Sequence, residues 1–64
     1  MIVEGYEVKA GDKFHHSLTG DEVWTASQPW GSEHWEFKNW TSKVVAPGKL
    51  YTNQSEKLRR VKET

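Results

Sequence analysis

The chain has 64 residues, no cysteine, and nine basic and nine acidic side chains, so its formal net charge is zero. This length allows one domain at most, and the absence of cysteine excludes disulfides and thiolate metal ligands as supports for its small core. The core must therefore come from a few large side chains, among them four tryptophans. We expect a single domain over residues 1–64, with frayed ends at 1–5 and 62–64.

The first residues, MIVEGYEV, contain neither a basic segment nor a long apolar run. We therefore expect no signal peptide and no membrane span. The lack of cysteine agrees with a reducing compartment, so the expected location is the cytoplasm.

Short strand-like runs alternate with turn signals along the first two thirds of the chain. In YEVKAGDKF and TGDEVWTASQ, the segments AGD and TGD predict turns between β-rich runs. The segment QPWGS ends the second run, because proline cannot donate to a strand ladder and glycine permits positive φ. Alternation resumes in EHWEFKNWT and places Trp35 and Phe37 on one face. We expect these two residues and Trp24, within the strand-like run EVWTASQ, to form the core. The residues on the other face are His34, Glu36, Lys38 and Trp40.

The last third of the chain predicts two further strands. Pro47 and Gly48 predict a turn before a strand around Leu50 and Tyr51, and SEKLRRV predicts a 3₁₀ turn followed by a last strand. No window shows the 3.6-residue period of an amphipathic helix. The sequence therefore predicts an all-β fold, a small barrel of about five strands with a short 3₁₀ turn before the last one.

This order of elements resembles the SH3-like small barrels, a group that includes Tudor and KOW-type modules. In such modules a segment of the kind v-x-x-G-D-x-f opens the barrel, and a 3₁₀ turn precedes the closing strand. The matching residues are Val8, Gly11, Asp12, Phe14, Gly20, Val23, Ala26 and the range 55–61. The resemblance implies a binding module, and its Tudor branch implies an aromatic cage for a methylated cation. The compact sequence also resembles small bacteriophage proteins, which implies a partner such as a host enzyme that the protein inhibits or redirects.

No combination of residues indicates catalysis. His15 and His16 are adjacent, so on a strand they point to opposite faces and cannot bind one ion together. The serines lie in no nucleophile motif, and the five glycines are dispersed singly rather than grouped as in a phosphate-binding loop. We therefore predict a non-enzyme without a metal or another cofactor.

Charge and aromatic residues point to binding. Residues 1–36 carry seven acidic and two basic side chains, whereas residues 37–64 carry seven basic and two acidic ones. This split indicates either an interaction surface or pairing of the two halves within the folded sheet. Trp30, in a turn, and Trp40, on a polar face, are expected to be exposed, as tryptophans at protein interfaces are.

We favour recognition of a protein partner on this evidence. The residues predicted to contact it are Trp30, Trp40, Lys38, Lys43, Lys49, Tyr51, Arg59 and Arg60. The alternative is a nucleic-acid-binding barrel, in which aromatic faces stack on bases and the basic C-terminal half engages phosphates. The sequence leaves the oligomeric state open.

Overall fold

A computed structural model of the chain describes residues 1–31, 34–39 and 48–61. Its seven strands are β1 (Ile2–Val3), β2 (Tyr6–Glu7), β3 (Lys13–His16), β4 (Val23–Ser27), β5 (Glu36–Asn39), β6 (Gly48–Tyr51) and β7 (Leu58–Arg60). A 3₁₀ turn, Ser55–Lys57, directly precedes β7. These ranges contain no α-helix, so the prediction of an all-β fold with a 3₁₀ turn before its last strand is confirmed.

Five of the strands form one antiparallel sheet. Strands β3 to β6 follow one another as a meander, and β7 returns to pair with β3, which gives the order β6-β5-β4-β3-β7. Strands β1 and β2 form a separate hairpin. Within the described residues β6 and β7 do not pair with each other. The sheet is therefore open, and hydrogen bonds do not close it into a barrel.

One face of the sheet carries the core. Phe14 lies opposite Trp24, and Ala26 lies opposite Phe37, so alternate positions of three strands meet on this face. The rings of Phe14 and Phe37 pack edge to face with their centroids 5.9 Å apart. The buried hydrophobic residues are Val3, Val8, Phe14, Trp24, Ala26, Trp35, Phe37 and Leu58. The predicted core role of Trp24, Trp35 and Phe37 is confirmed.

The N-terminal residues differ from the expected frayed end. Val3 is fully buried, and β1 pairs with β2 through a turn in which Glu4 and Gly5 have φ of 51° and 81°. Two successive positive φ values are typical of the tight turn that joins short antiparallel strands. The N–H of Val8 also donates to the carbonyl of Met1 at 2.9 Å. The expected frayed end at 62–64 lies outside the described residues.

The structure describes only one residue, Gly48, of the predicted turn at Pro47 and Gly48. Pro47 lies outside the described residues, whereas Gly48 is the first residue of β6. A Cβ atom at Gly48 would lie 3.3 Å from Cη2 of Trp24, a tight contact with a buried ring. This position in the strand therefore favours glycine because of the packing of Trp24.

A buried histidine organises the loop between β3 and β4. The Nδ1 atom of His16 accepts a hydrogen bond from the N–H of Leu18 at 3.1 Å, so this nitrogen carries no proton. The His16 carbonyl accepts further bonds from the N–H groups of Thr19 and Gly20. Burial, followed by the nearby charge of Lys57, lowers the pKa of His16 below its ordinary value. The folded protein therefore favours the neutral ring.

Truncation of Phe37, the central core residue, should strongly destabilise the folded domain. We expect Phe37→Ala to lower the free energy of unfolding by about 3–5 kcal/mol, because it leaves a cavity between Phe14 and Trp35. Trp30→Ala should cost about 1 kcal/mol or less, since that side chain is exposed and loses only a stacking contact. Thermal melts of both variants measure the difference, and an equal loss in the two would contradict this assignment of the core.

The His16 contact predicts that stability falls in mild acid. Because the folded-state pKa lies below the unfolded value near 6.5, the unfolded chain binds a proton that the folded protein does not. Stability is then fully present above that pH and declines as the pH falls towards the folded pKa. His16→Asn retains an acceptor for Leu18 but does not titrate. Urea unfolding from about pH 8 to about pH 5 should show a steeper decline for the wild type than for the variant, and parallel curves would disprove the role of His16.

Candidate binding surface

The face of the sheet opposite the core, which we call the outer face, carries a row of lysines. Lys49, Lys38, Thr25 and Lys13 are successive cross-strand partners on β6, β5, β4 and β3. With neighbouring strands about 4.8 Å apart, this lysine row spans about 14 Å. All three lysines are exposed, and Nζ of Lys13 donates to Oγ1 of Thr25 at 3.3 Å. Residues far apart in the sequence thus form one line of positive charge.

A stacked aromatic pair lies next to this row. The ring of Trp30, in the loop between β4 and β5, stacks on the ring of Tyr51 with centroids 5.4 Å apart and an interplanar angle of 28°. Tyr51 follows Lys49 by two positions on β6, so both residues belong to the outer face. Trp30 is 59% exposed and Tyr51 is 62% exposed. The predicted exposure of Trp30 is confirmed, and the pair leaves ring surface open to a ligand.

A buried carboxylate joins the row to the pair. Glu36 lies between Ser27 and Tyr51 in the sheet and is almost fully buried although it belongs to the outer face. Its carboxylate oxygens lie 3.5 Å from Nζ of Lys38 and 3.9 Å from Nζ of Lys49. Desolvation first, then a hydrogen bond to Glu36 and its negative charge, raise the pKa of Tyr51, with a smaller opposing effect from Lys38. Glu36 therefore pairs with two of the exposed lysines, and its charge acts on the neighbouring Tyr51.

The two arginines predicted for the site lie on different faces. Arg59 lies opposite His15 on the outer face, and its Nη2 donates to the carbonyl of Gly20 at 3.1 Å. Arg60 instead pairs with Phe14 on the core side, where its guanidinium lies 4.1 Å from the ring centroid of Tyr6. Arg60 is therefore separated from the lysine row because strand residues alternate between faces. The remaining two predicted contact residues, Trp40 and Lys43, lie outside the described residues.

A small cleft opens beside the aromatic pair. Its volume is about 190 Å³, and the residues that line it are Trp30, His34, Trp35, Tyr51, Thr52 and Asn53. The N–H of Thr52 donates to the carbonyl of Trp35 at 3.3 Å and brings the end of β6 against the start of β5. We call this the aromatic cleft. The sequence predicts Trp35 only as a core residue, since alternation does not reveal that a core residue also borders a surface opening.

The indole N–H of Trp35 is buried and has no hydrogen-bond partner among the described residues. By contrast, the indole N–H of Trp24, another core residue, donates to Oγ1 of Thr19 at 2.8 Å. Buried polar groups in folded proteins almost always have partners. The indole N–H of Trp35 is therefore a buried donor without an acceptor among the described residues, although other atoms of this residue line the cleft.

A larger groove lies beside β2, β3 and β7. Its volume is about 760 Å³, and its lining includes Glu4, Tyr6, Asp12, Lys13 and Arg60. The polar groups there already serve the fold, because a carboxylate oxygen of Glu4 accepts the backbone N–H of Arg60 at 2.6 Å and the Arg60 guanidinium covers Tyr6. Size alone therefore does not make this groove the better candidate.

The described parts of the chain contain no cluster of three or more histidine, cysteine, aspartate or glutamate side chains suited to a metal ion. They also contain no helix that is long and apolar enough to cross a membrane.

The chain has no significant match to a known protein family, a curated protein or a solved structure. Its function must therefore be inferred from its own side chains.

The contact between Tyr51 and Glu36 predicts an altered tyrosine titration. In a Tyr6→Phe background Tyr51 is the remaining tyrosine, and its pKa should lie above 10.0. Glu36→Gln removes the negative charge and should lower this pKa towards its ordinary value, while desolvation keeps part of the elevation. Ultraviolet absorbance of tyrosinate measures both titrations, with circular dichroism as the control for folding. The same pKa in both proteins would exclude the influence of Glu36.

Proposed function

We propose that this protein is a non-catalytic module that binds single-stranded nucleic acid on its outer face. The observation that carries the proposal is the placement of an exposed, stacked Trp30–Tyr51 pair beside a cross-strand row of three lysines. Proteins that bind single strands combine aromatic stacking surfaces with basic side chains along the backbone. Lysine, by contrast, is depleted at the centres of protein–protein interfaces.

The local charge of the outer face supports an anionic ligand. The strand residues of this face include four basic side chains, Lys13, Lys38, Lys49 and Arg59, and one carboxylate, Glu36. The carboxylate is buried and faces two of the lysines. A chain with no net charge thus presents a surface with an excess of positive charge, and local potential guides the approach of an anion.

The lysine row and the aromatic pair bind different parts of the nucleic acid. The lysine row engages phosphates and releases their counterions, while bases stack against the exposed rings of Trp30 and Tyr51. Glu36 restrains Lys38 and Lys49 before a ligand arrives, and stacking restrains Trp30 and Tyr51, which reduces the conformational entropy lost on binding. This function requires no bond to be made or broken.

The fold assignment and the location belong to the same proposal. The four-stranded meander, the 3₁₀ turn and the return of β7 to β3 support an SH3-like module of the kind that the sequence resembles. The absence of cysteine agrees with a protein of the reducing cytoplasm.

A protein partner is the second candidate function. The exposure of Trp30 and Tyr51 favours it, because these two residue types anchor many protein interfaces. A host enzyme, as the resemblance to bacteriophage proteins implies, is one such partner. Salt dependence separates the two functions, since contacts with phosphates weaken steeply as the salt concentration rises.

Affinity for a single strand should depend on salt and on the lysine row. Fluorescence anisotropy with an oligothymidylate of about eight nucleotides provides the measurement. If the three lysines each contact a phosphate, the slope of log affinity against log salt should be about −2, because each contact contributes about −0.7. Lys13→Gln and Lys49→Gln should each reduce the steepness by about 0.7.

Two further variants complete this test. Lys9→Gln changes an exposed lysine outside the row and should leave both the affinity and the slope unchanged. Trp30→Ala should weaken binding about 5- to 150-fold through lost stacking, with little change in slope. Absence of oligonucleotide binding, or an affinity that does not respond to salt, would overturn the proposed function.

A further inference from the structure

We infer that this protein pairs with a second copy of itself through the edge of β6 that faces away from β5, which we call the β6 edge. The pairing is antiparallel and centred on Leu50, so that two five-stranded sheets become one. The second copy then places its Tyr51 opposite Lys49, at the end of the lysine row.

The backbone of β6 directs unpaired groups outwards. In an antiparallel pair, positions that exchange hydrogen bonds alternate with positions that do not. The N–H of Thr52 donates to the carbonyl of Trp35, so by alternation Leu50 also bonds to β5. Lys49 and Tyr51 therefore direct their N–H and carbonyl groups away from β5. Neither N–H has a partner among the described residues.

The other edge of the sheet, on β7, is already covered. By the same alternation, Leu58 and Arg60 direct their N–H groups away from β3. The N–H of Leu58 donates to the carbonyl of Ser55, and that of Arg60 donates to the Glu4 carboxylate at 2.6 Å. Native proteins commonly protect sheet edges, because an unprotected edge is a template for another strand. Within the described ranges the β6 edge lacks such protection.

One antiparallel register bonds all the outward groups of β6. With Leu50 opposite itself, Lys49 of each copy exchanges backbone bonds with Tyr51 of the other. A pairing centred on Lys49 would bring two like charges opposite each other, which is destabilising. A pairing centred on Tyr51 would place Lys49 opposite Asn53, which lies beyond the end of β6.

The side chains of β6 also suit the register centred on Leu50. On the outer face, the ammonium group of Lys49 meets the exposed ring of Tyr51 from the second copy, which allows a cation–π contact. On the core side, the two Leu50 side chains lie opposite each other. Each is partly buried against its own core, and the pairing covers more of its apolar surface. The β6 edge is therefore self-complementary in hydrogen bonding and in charge.

The pairing extends the outer face. A two-fold axis perpendicular to the sheet keeps both outer faces on the same side, so the two lysine rows share one surface. From Lys13 of one copy to Lys13 of the other, seven strand spacings of about 4.8 Å span about 34 Å. Under the proposed function this surface holds a longer single strand than one copy does. The pairing itself requires no ligand, so it is tested without nucleic acid.

The backbone amides of the intact ¹⁵N-labelled chain report the pairing directly. A contact between two short strands buries less than the about 1,200 Å² typical of stable complexes, so we expect a dissociation constant of about 0.1–1 mM. Between about 20 µM and about 1 mM protein, the Lys49 and Tyr51 N–H resonances should move, and their hydrogen exchange should slow about 2-fold or more. Arg60, whose N–H is bonded to Glu4, is the internal control. Sedimentation equilibrium should show the mass rising from 7.4 kDa towards twice that value.

Two substitutions at one position isolate the backbone hydrogen bond. Lys49→Pro and Lys49→Gln both remove the charge, but only proline removes the outward N–H. An edge strand tolerates this proline because the N–H that it removes does not bond to β5. We expect Lys49→Pro to associate about 10-fold or more weakly than Lys49→Gln. Circular dichroism checks folding, and where the proline variant does not fold, the amide measurement on the wild type decides.

The outcomes separate this inference from the proposed function. A mass and amide exchange that do not change with concentration would overturn the inference and leave the proposed function standing. Association that leaves the Lys49 and Tyr51 amides unchanged, or that is equal in the two variants, would overturn it as well. Self-association without any oligonucleotide binding would retain the inference and overturn only the proposed function.

Discussion

The packing of Phe37 is the constraint on which the rest of the molecule depends. This side chain is fully buried, contacts Phe14 edge to face and lies against Trp35. A domain of this size has few other ways to bury apolar surface, so the alternate residues of β5 and its neighbours must face inwards. The residues between them are thereby assigned to the outer face. Lys38, the next residue of β5, lies on the outer face for this reason.

The outer face contains a buried carboxylate, Glu36, that organises the exposed side chains around it. A carboxylate with almost no solvent contact is destabilising unless its charge and lone pairs are satisfied. Here Lys38 and Lys49 pair with it, and Tyr51, on which Trp30 stacks, is its cross-strand neighbour. The aromatic pair and two thirds of the lysine row therefore surround one buried charge. The two ion pairs restrain lysine side chains that would otherwise move independently.

Local patterns in the sequence predicted the elements and much of the core, but they did not predict which elements meet. Alternation placed Trp35 and Phe37 inside and Lys38 outside, and the turn signals located most of the loops. Lys13 and Lys49 are 36 positions apart in the chain, and they share a row only through the register of three strand pairs. The N-terminal hairpin was missed because two-residue strands are too short to show alternation. The stacking of Trp30 on Tyr51 depends on the conformation of the loop between β4 and β5, which the alternation of apolar and polar residues does not predict.

The two buried tryptophans differ in how their indole N–H groups contribute to stability. Trp24 satisfies its indole N–H through Thr19, as a purely structural residue should. Trp35 is equally buried but has no such partner among the described residues, and it borders the aromatic cleft. Small domains have little stability to spare, so an unsatisfied donor is a substantial loss for the free protein. The same side chain thus supports the core through its ring and opposes stability through its unpaired N–H.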